Sequence, residues 1–180
     1  MKKLDVVTRV LTKILEISHW IGMVSMAVVF VLSLVMGTDV VQNVSAKDFG
    51  SDFITYGFEV EVVDAAGQVN LAGLRLFCVG AFLILGLMAM VFRNIYLILK
   101  KSQNTTPFQK DNVRMVREIG IFLIAVPVVS LIMSMVTRGV AGLETSSIGA
   151  SSFMVGLAVL CLSQVFARGV ELETETDGLL

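Results

Sequence analysis

The chain has 180 residues, of which 56% are apolar and 16% are charged, with a mean hydropathy of +0.84 and a formal net charge of −1. A soluble domain contains about 25% charged residues, so this composition excludes an ordinary soluble protein and predicts an integral membrane protein. The sequence contains no CxxC, HExxH or GxSxG motif and no glycine-rich phosphate loop. We therefore expect neither an enzyme nor a bound metal or cofactor.

Four apolar runs are long enough, at about 1.5 Å per residue, to approach or cross a hydrocarbon core of about 30 Å. They predict an all-α membrane protein, a four-helix transmembrane bundle that forms one integral membrane domain over residues 1–180. The predicted spans are residues 17–36, 72–92, 119–136 and 148–166. Their central parts contain no Asp, Glu, Lys or Arg, so a self-sufficient secondary transporter is not expected.

Basic residues are distributed unevenly between the segments that separate the spans. If both termini are cytoplasmic, 11 of the 14 Lys and Arg residues are inside, and Lys47, Arg75 and Arg138 are outside. Short cytoplasmic loops carry an excess of Lys and Arg. The sequence thus predicts a multi-pass protein of the cell membrane, with an external segment at 37–70, a cytoplasmic elbow at 100–118 and a cytoplasmic tail at 167–180.

The first span follows a basic stretch, as a signal peptide would. Its apolar run of about 20 residues exceeds the roughly 7–15 of a cleaved signal, so we expect an uncleaved helix. His19 and Trp20 stand near its start. A lone histidine can be a ligand or a proton relay, but beside a tryptophan at interface depth it predicts an anchoring pair.

The external segment contains an alternation of apolar and polar residues from Ile54 to Val62. This period of two predicts a strand with one buried face, which includes Tyr56 and Phe58. Since a single strand cannot satisfy its own backbone, we expect a partner at residues 40–44 or 68–71. The resulting small extracytoplasmic β element between helices 1 and 2 has two open uses: a cap over the outer helix ends, or a surface that senses an external ligand.

The elbow carries a local helix-start signal. Thr106 fits the N-cap, Pro107 the first helical position, and Gln109 the position that completes a capping box. Beyond it, three basic residues fall within about 60° of one another on one helical face. We name this the basic face, and its members are Lys110, Arg114 and Arg117. Either it sets topology and contacts anionic lipid, or it docks an acidic partner.

Pro127 lies inside the third span and is expected to bend it. The fourth helix carries small residues along one face, which predicts close packing inside the bundle, with a homodimer as the alternative. They are Gly149, Ser152, Gly156 and Ser163.

The two cysteines are predicted to lie at different depths. Cys78 and Cys161 should differ in depth by roughly 10 Å, beyond the ~7 Å Cα limit for a disulfide. We therefore expect two buried free thiols.

The tail has four carboxylates within seven residues, namely Glu171, Glu173, Glu175 and Asp177. Because the inner loops are basic, we predict that the tail lies against the basic face. The alternative is a tail that is simply solvated.

Two motifs make the chain resemble a family of small bacterial four-helix membrane proteins of unknown function. The first is Thr106-Pro107-Phe108 followed by Asn112, Arg114 and Ile119-Gly120. The second is Phe166, Arg168-Gly169, Glu171-Leu172 and Glu175-Thr176-Asp177, and the ending Gly178-Leu179-Leu180 departs from the family's apolar-Thr-Val ending. Members are typically encoded beside a Cro/C1-type helix-turn-helix regulator. The resemblance implies a membrane partner that holds or modulates a transcription factor, and it brings no catalytic residues.

The expected function is therefore non-enzymatic anchoring or modulation of a cytoplasmic helix-turn-helix regulator, without direct nucleic-acid binding. The alternative is a small accessory subunit of a multi-component transporter. The expected partner-binding residues are Thr106, Pro107, Phe108, Lys110, Arg114, Arg117, Arg168, Glu171, Glu173, Glu175 and Asp177.

Overall fold

The computed structural model describes residues 2–35, 52–62, 69–102, 109–146 and 150–177. Four long helices account for most of them, namely α1 (Lys2–Val35), α2 (Leu71–Lys101), α3 (Lys110–Ala141) and α4 (Ala150–Asp177). Three short strands, β1 (Asp52–Thr55), β2 (Phe58–Glu61) and β3 (Thr145–Ser146), form one antiparallel sheet in that order. The predicted fold class, four apolar helices with a small β element between the first two, is confirmed.

Each helix is long and apolar enough to cross a membrane. The qualifying stretches are Val6–Val35, Leu71–Lys101, Lys110–Ala141 and Ser152–Leu172. At about 1.5 Å per residue the helices are roughly 42–51 Å long, which exceeds a hydrocarbon core of about 30 Å. The chain is thus a multi-pass membrane protein whose helices continue beyond the predicted spans.

Local interactions fix several helix ends. At the start of α2, the Asn70 side-chain oxygen accepts a hydrogen bond from the Gly73 amide at 3.1 Å, as an N-cap does. The last turn of α2 contains Lys100 and Lys101, which complement the negative end of the helix dipole. After α3, Gly142 adopts a φ of +65°, the left-handed conformation that commonly ends a helix.

The chain divides into two compact units. The first contains Met1–Ser18, Leu87–Ala125 and Ala150–Leu180, and the second contains His19–Gly86 and Val126–Gly149.

In the first unit, α3 and α4 approach closely at two glycines. A Cβ atom on Gly156 would lie 2.6 Å from the Ile124 side chain and 2.9 Å from the Ile124 backbone nitrogen. One on Gly120 would lie 2.7 Å from the Leu160 side chain. Ser163 is buried on the same helix, and Ser152 is half-buried. The small-residue face of α4 therefore packs against its neighbour, as predicted, although Gly149 lies outside the described residues.

In the second unit, β1 and β2 form a hairpin. Its turn is Tyr56-Gly57, and both residues have positive φ, 48° and 76°, as a type I′ turn requires. The prediction of one strand from Ile54 to Val62 is therefore wrong, because the chain reverses in the middle of the alternating pattern. Phe58 is fully buried as predicted, but Tyr56 stands in the turn and is 41% exposed.

The strand partners agree with the expected ones only in part. β2 pairs with β1 on one side and with β3, beyond α3, on the other. From the expected partner at residues 68–71, the Asn70 amide donates a hydrogen bond to the Val62 carbonyl at 2.8 Å. The other expected partner, residues 40–44, lies outside the described residues.

The sheet lies alongside the helices rather than over their ends. Phe58 stacks on Phe77 with ring centroids 5.7 Å apart and faces Gly80, and these two residues are six and nine positions inside α2. The turn residue Tyr56 contacts His19, which is 16 positions before the end of α1. At about 1.5 Å per residue these contacts are roughly 9–24 Å inside the helix ends. The expectation of an outer cap is thereby corrected.

The central strand of this short sheet is paired on both sides. A strand that packs against the sides of apolar helices needs hydrogen-bond partners within the protein, because apolar surroundings offer none. β2 satisfies this with partners on both edges, and its inward side chains Phe58 and Val60, with Val62 just beyond, are fully buried.

Both cysteines are free thiols. Cys78 is buried, as predicted. The prediction of burial is wrong for Cys161, which lies on an exposed face of α4.

Candidate functional site

The candidate site is built around the facing ends of α2 and α3. Lys101, the last residue of α2, forms an ion pair with Asp111 in the first turn of α3, with Nζ and Oδ2 2.8 Å apart. Both side chains are exposed, and an exposed pair contributes about 0–1 kcal/mol. Its role is therefore to orient the two helix ends rather than to stabilise the fold.

The basic face stands exposed on the first turns of α3. Lys110, Arg114 and Arg117 are all exposed, while Asn112 and Met115 on the other side of the helix are buried. Buried neighbours hold the helix in place, so the three cationic groups are presented from a fixed backbone.

An acidic residue of the same helix lies beside the basic face. Glu118 Oε1 lies 3.5 Å from Arg114 Nε, and Glu118 Oε2 accepts a hydrogen bond from Asn94 Nδ2 at 3.0 Å. Glu118 thus connects α3 to α2 and leaves the guanidinium of Arg114 partly engaged. Sequence reasoning did not single out Glu118 or Asn94.

The acidic tail forms the last three turns of α4. Arg168, Glu171 and Glu175 are exposed there, and Val170 is buried. The side chains of Glu173 and Asp177 lie outside the described residues. Within the described part of this region, the ion pairs join Lys101 to Asp111 and Arg114 to Glu118, so contact between the tail and the basic face stays a prediction.

The remaining predicted site residues, Thr106, Pro107 and Phe108, lie outside the described residues. α3 begins at Lys110, so the predicted place of Gln109 inside the helix, where it would complete a capping box, is wrong: Gln109 directly precedes the helix, and its carbonyl accepts a helical hydrogen bond from the Val113 amide at 3.1 Å.

A polar stripe on α1 was missed by the sequence analysis. Thr12, Glu16, His19 and Ser33 are all at least 92% buried. Lys13 forms an ion pair with Glu16, Nζ to Oε2 2.9 Å, and its Nζ lies 4.9 Å from the centroid of the Tyr96 ring. The signal that could have found it is a periodicity of polar residues at three- and four-residue steps within an apolar helix, which in membrane proteins marks the inward face.

His19 joins α1 to the hairpin. Its Nε2 forms a short hydrogen bond with the Tyr56 hydroxyl, and the two rings are 5.6 Å apart. Burial raises the pKa of the Tyr56 phenol above its ordinary value. The expectation of an interfacial anchor is corrected for His19, which is buried, whereas Trp20 is exposed.

Within the described residues, no three His, Cys, Asp or Glu side chains come together in a group that could hold a metal ion. Comparison of the chain with protein-family models, with curated proteins and with solved structures gives no match in any of the three.

Proposed function

We propose that this protein is a non-enzymatic, multi-pass protein of the cell membrane that holds or modulates a cytoplasmic helix-turn-helix regulator through the basic face of α3. The observation that carries the proposal is the exposure of Lys110, Arg114 and Arg117 on a helix whose other side is buried. The class of partner comes from the resemblance of the two sequence motifs to the four-helix family.

The chemistry of the face suits an acidic protein surface. Arg presents its donors in a planar fork that matches a carboxylate, and complementary charges set the register and the association rate of a complex. The tail carboxylates Glu171 and Glu175 can compete for the same cations. Each exposed pair contributes only about 0–1 kcal/mol, so a partner with better complementarity would displace the tail.

A second candidate is an accessory subunit of a multi-component transporter. It is favoured by the packing of α1, since 11% of its apolar window is buried, against 50% for α2. A helix so little covered leaves a long apolar face for another membrane protein. Affinity capture in mild detergent separates the two candidates, because the first predicts a small soluble DNA-binding protein and the second a large polytopic one.

The proposed orientation can be tested with reporter fusions. A fusion at Gln103 is expected to give a cytoplasmic signal and one at Asp48 an external signal, because the basic residues are concentrated in the segments assigned to the inside. The reverse pattern would place the basic face outside the cell and would thereby contradict the proposed function.

The proposed docking can be tested by charge reversal. Changing Lys110, Arg114 and Arg117 together to Glu should lower capture of the regulator about tenfold or more, since close charge pairs at an interface each contribute measurably to binding. Reversing the charges of Glu173, Glu175 and Asp177 should instead change capture of the regulator, because the tail would no longer compete for the basic face. Membrane insertion and thermal stability should stay nearly unchanged in the tail variant.

Arg93→Glu serves as the matched control, because Arg93 is an exposed cation of α2 that lies outside the basic face. Its capture should equal that of the unmodified protein. If neither triple variant alters capture, the basic face only sets topology or contacts anionic lipid, and the regulatory proposal is wrong.

A further inference from the structure

The outer face of α1 carries a regular heptad pattern. Nine residues follow one another at alternating steps of three and four, and every one of them is a valine or isoleucine. They are Val7, Val10, Ile14, Ile17, Ile21, Val24, Val28, Val31 and Val35, and we call them the seam. Steps of three and four over four heptads are the pattern of positions a and d in a coiled coil.

The seam is exposed in the part of the chain that the structure describes. Its nine side chains are between 48% and 77% exposed. The positions midway between seam residues on the opposite side, spaced seven apart, are Thr12, His19, Met26 and Ser33, of which Met26 is half-buried and the other three are buried. The helix therefore turns its polar side toward the protein and its seam away from it.

Contact with lipid alone does not account for the seam. Contact with lipid requires apolar side chains, but it requires neither β-branched side chains nor a regular spacing of them along the helix. Residues 6–35 contain eight Val and three Ile, and nine of these 11 occupy the seam, leaving only Val6 and Val29 elsewhere. The leucines of this stretch all lie off the seam. Segregation of β-branched residues to positions a and d is what packing of knobs into holes requires.

We infer that the seam binds the α1 helix of a second copy of this chain, in parallel. All copies insert with the same orientation, so their α1 helices run the same way and present identical heptads at identical depths. A seam of this kind is self-complementary, as symmetric oligomers require. β-Branched residues at both a and d favour three or four strands over two in soluble coiled coils, so the assembly can exceed a dimer.

The size of the seam and the stiffness of its side chains fit this role. The seam extends from Val7 to Val35, roughly 42 Å at about 1.5 Å per residue, so two copies in register would be in contact over more than the ~30 Å thickness of a hydrocarbon core. Since lipid is as apolar as the seam, association rests on close packing rather than on burial from water. Valine and isoleucine suit close packing between helices, because their χ1 angle is already restricted in a helix. Their side chains therefore lose little rotamer freedom when two helices associate.

Two exposed serines border the seam. Ser18 and Ser25 are seven residues apart, and each directly follows a seam residue. Small polar side chains at helix interfaces in membranes permit close approach and bond between helices. Both serines thus stand where a neighbouring copy of α1 would pass.

Cysteine cross-linking in native membranes tests the inference with a matched pair. In a Cys78→Ala, Cys161→Ser background, Val28→Cys places a thiol on the seam, and Val29→Cys places one on the adjacent valine, which is also exposed but off the seam. Mild oxidation should link copies through residue 28 at least tenfold more efficiently than through residue 29.

Equal cross-linking at both positions would indicate random collision and overturn the inference, as would cross-linking at neither. A product joining residue 28 to a different protein would show that the occupant is not a second copy. Native mass spectrometry of the unmodified chain from mild detergent provides an independent measurement, in which oligomers are expected and monomers alone would contradict the proposal.

Discussion

Replacing Gly156 by Ala is expected to destabilise the protein by roughly 1–3 kcal/mol, the usual cost of adding a methyl group to a tightly packed contact. The new Cβ would lie 2.6 Å from the Ile124 side chain and 2.9 Å from the Ile124 backbone nitrogen. A side chain could rotate away, but a helix backbone cannot. The two helices would have to separate along their contact, which loosens the first unit.

The matched control is the same substitution at Gly139 of α3. Nothing lies within 4 Å of a Cβ built there, and Ala is favoured over Gly in a helix by about 1 kcal/mol. Gly139→Ala should therefore be neutral or stabilising. Thermal unfolding of both variants in one detergent measures the difference, and an equal shift of the same sign in both would show that α3 and α4 do not depend on the glycine contact.

The position of Pro127 gives a second physical reason for the close approach of α3 and α4 at Gly156. Proline has no amide hydrogen, so the carbonyl of Leu123, four residues earlier, lacks its helical partner. A Cβ on Gly156 would lie 3.2 Å from the carbonyl carbon of Leu123. The backbone of α4 thus passes close to the turn of α3 that Pro127 interrupts.

The helices and this contact were accessible from the sequence, and for identifiable reasons. Apolar runs of sufficient length specify membrane helices because every backbone group is satisfied within the helix. The spacing of Gly156 and Ser163 specified a face for close approach without a partner being known. The exposure of the basic face likewise followed from helical periodicity, since Lys110, Arg114 and Arg117 share one side of α3.

The hairpin of β1 and β2 could not be predicted from the sequence in the same way. Gly57 fell in register with the polar positions of an alternating pattern, so the pattern concealed the turn. Type I′ turns usually carry Asn or Gly at the first central position, and a bulky residue such as Tyr56 at positive φ is uncommon there. Tyr56 forms a hydrogen bond with His19, 37 positions away in the sequence, and a contact between residues so far apart is not visible in a local pattern.

The buried polar face of α1 was not predicted, because the usual rule for amphipathic helices applies to soluble proteins. In water an amphipathic helix buries its apolar side. Here Glu16 and His19 are buried, and the valines and isoleucines of the seam are exposed. The identity of the proposed partner of the basic face does not follow from this sequence, because it is a property of a second molecule.

Replacing Phe58 by Ala is expected to cost about 3–5 kcal/mol of stability, the range for removing a buried aromatic ring. Phe58 is fully buried, stacks on Phe77 with centroids 5.7 Å apart, and fills the space that Gly80 leaves open. Loss of the ring should detach the hairpin from α2 before any helix unfolds.

Hydrogen exchange provides the measurement, and Ile54→Ala provides the control. The amides to follow are those of Glu61, bonded to the Glu144 carbonyl, and Asn70, bonded to the Val62 carbonyl. Both should lose protection in Phe58→Ala and keep it in Ile54→Ala, because Ile54 lies in the neighbouring strand and is 63% exposed. Amides of α3 near Gly120 should stay protected in both variants. If Ile54→Ala exposes the sheet amides as strongly as Phe58→Ala does, the Phe58 ring is not what holds the sheet to α2.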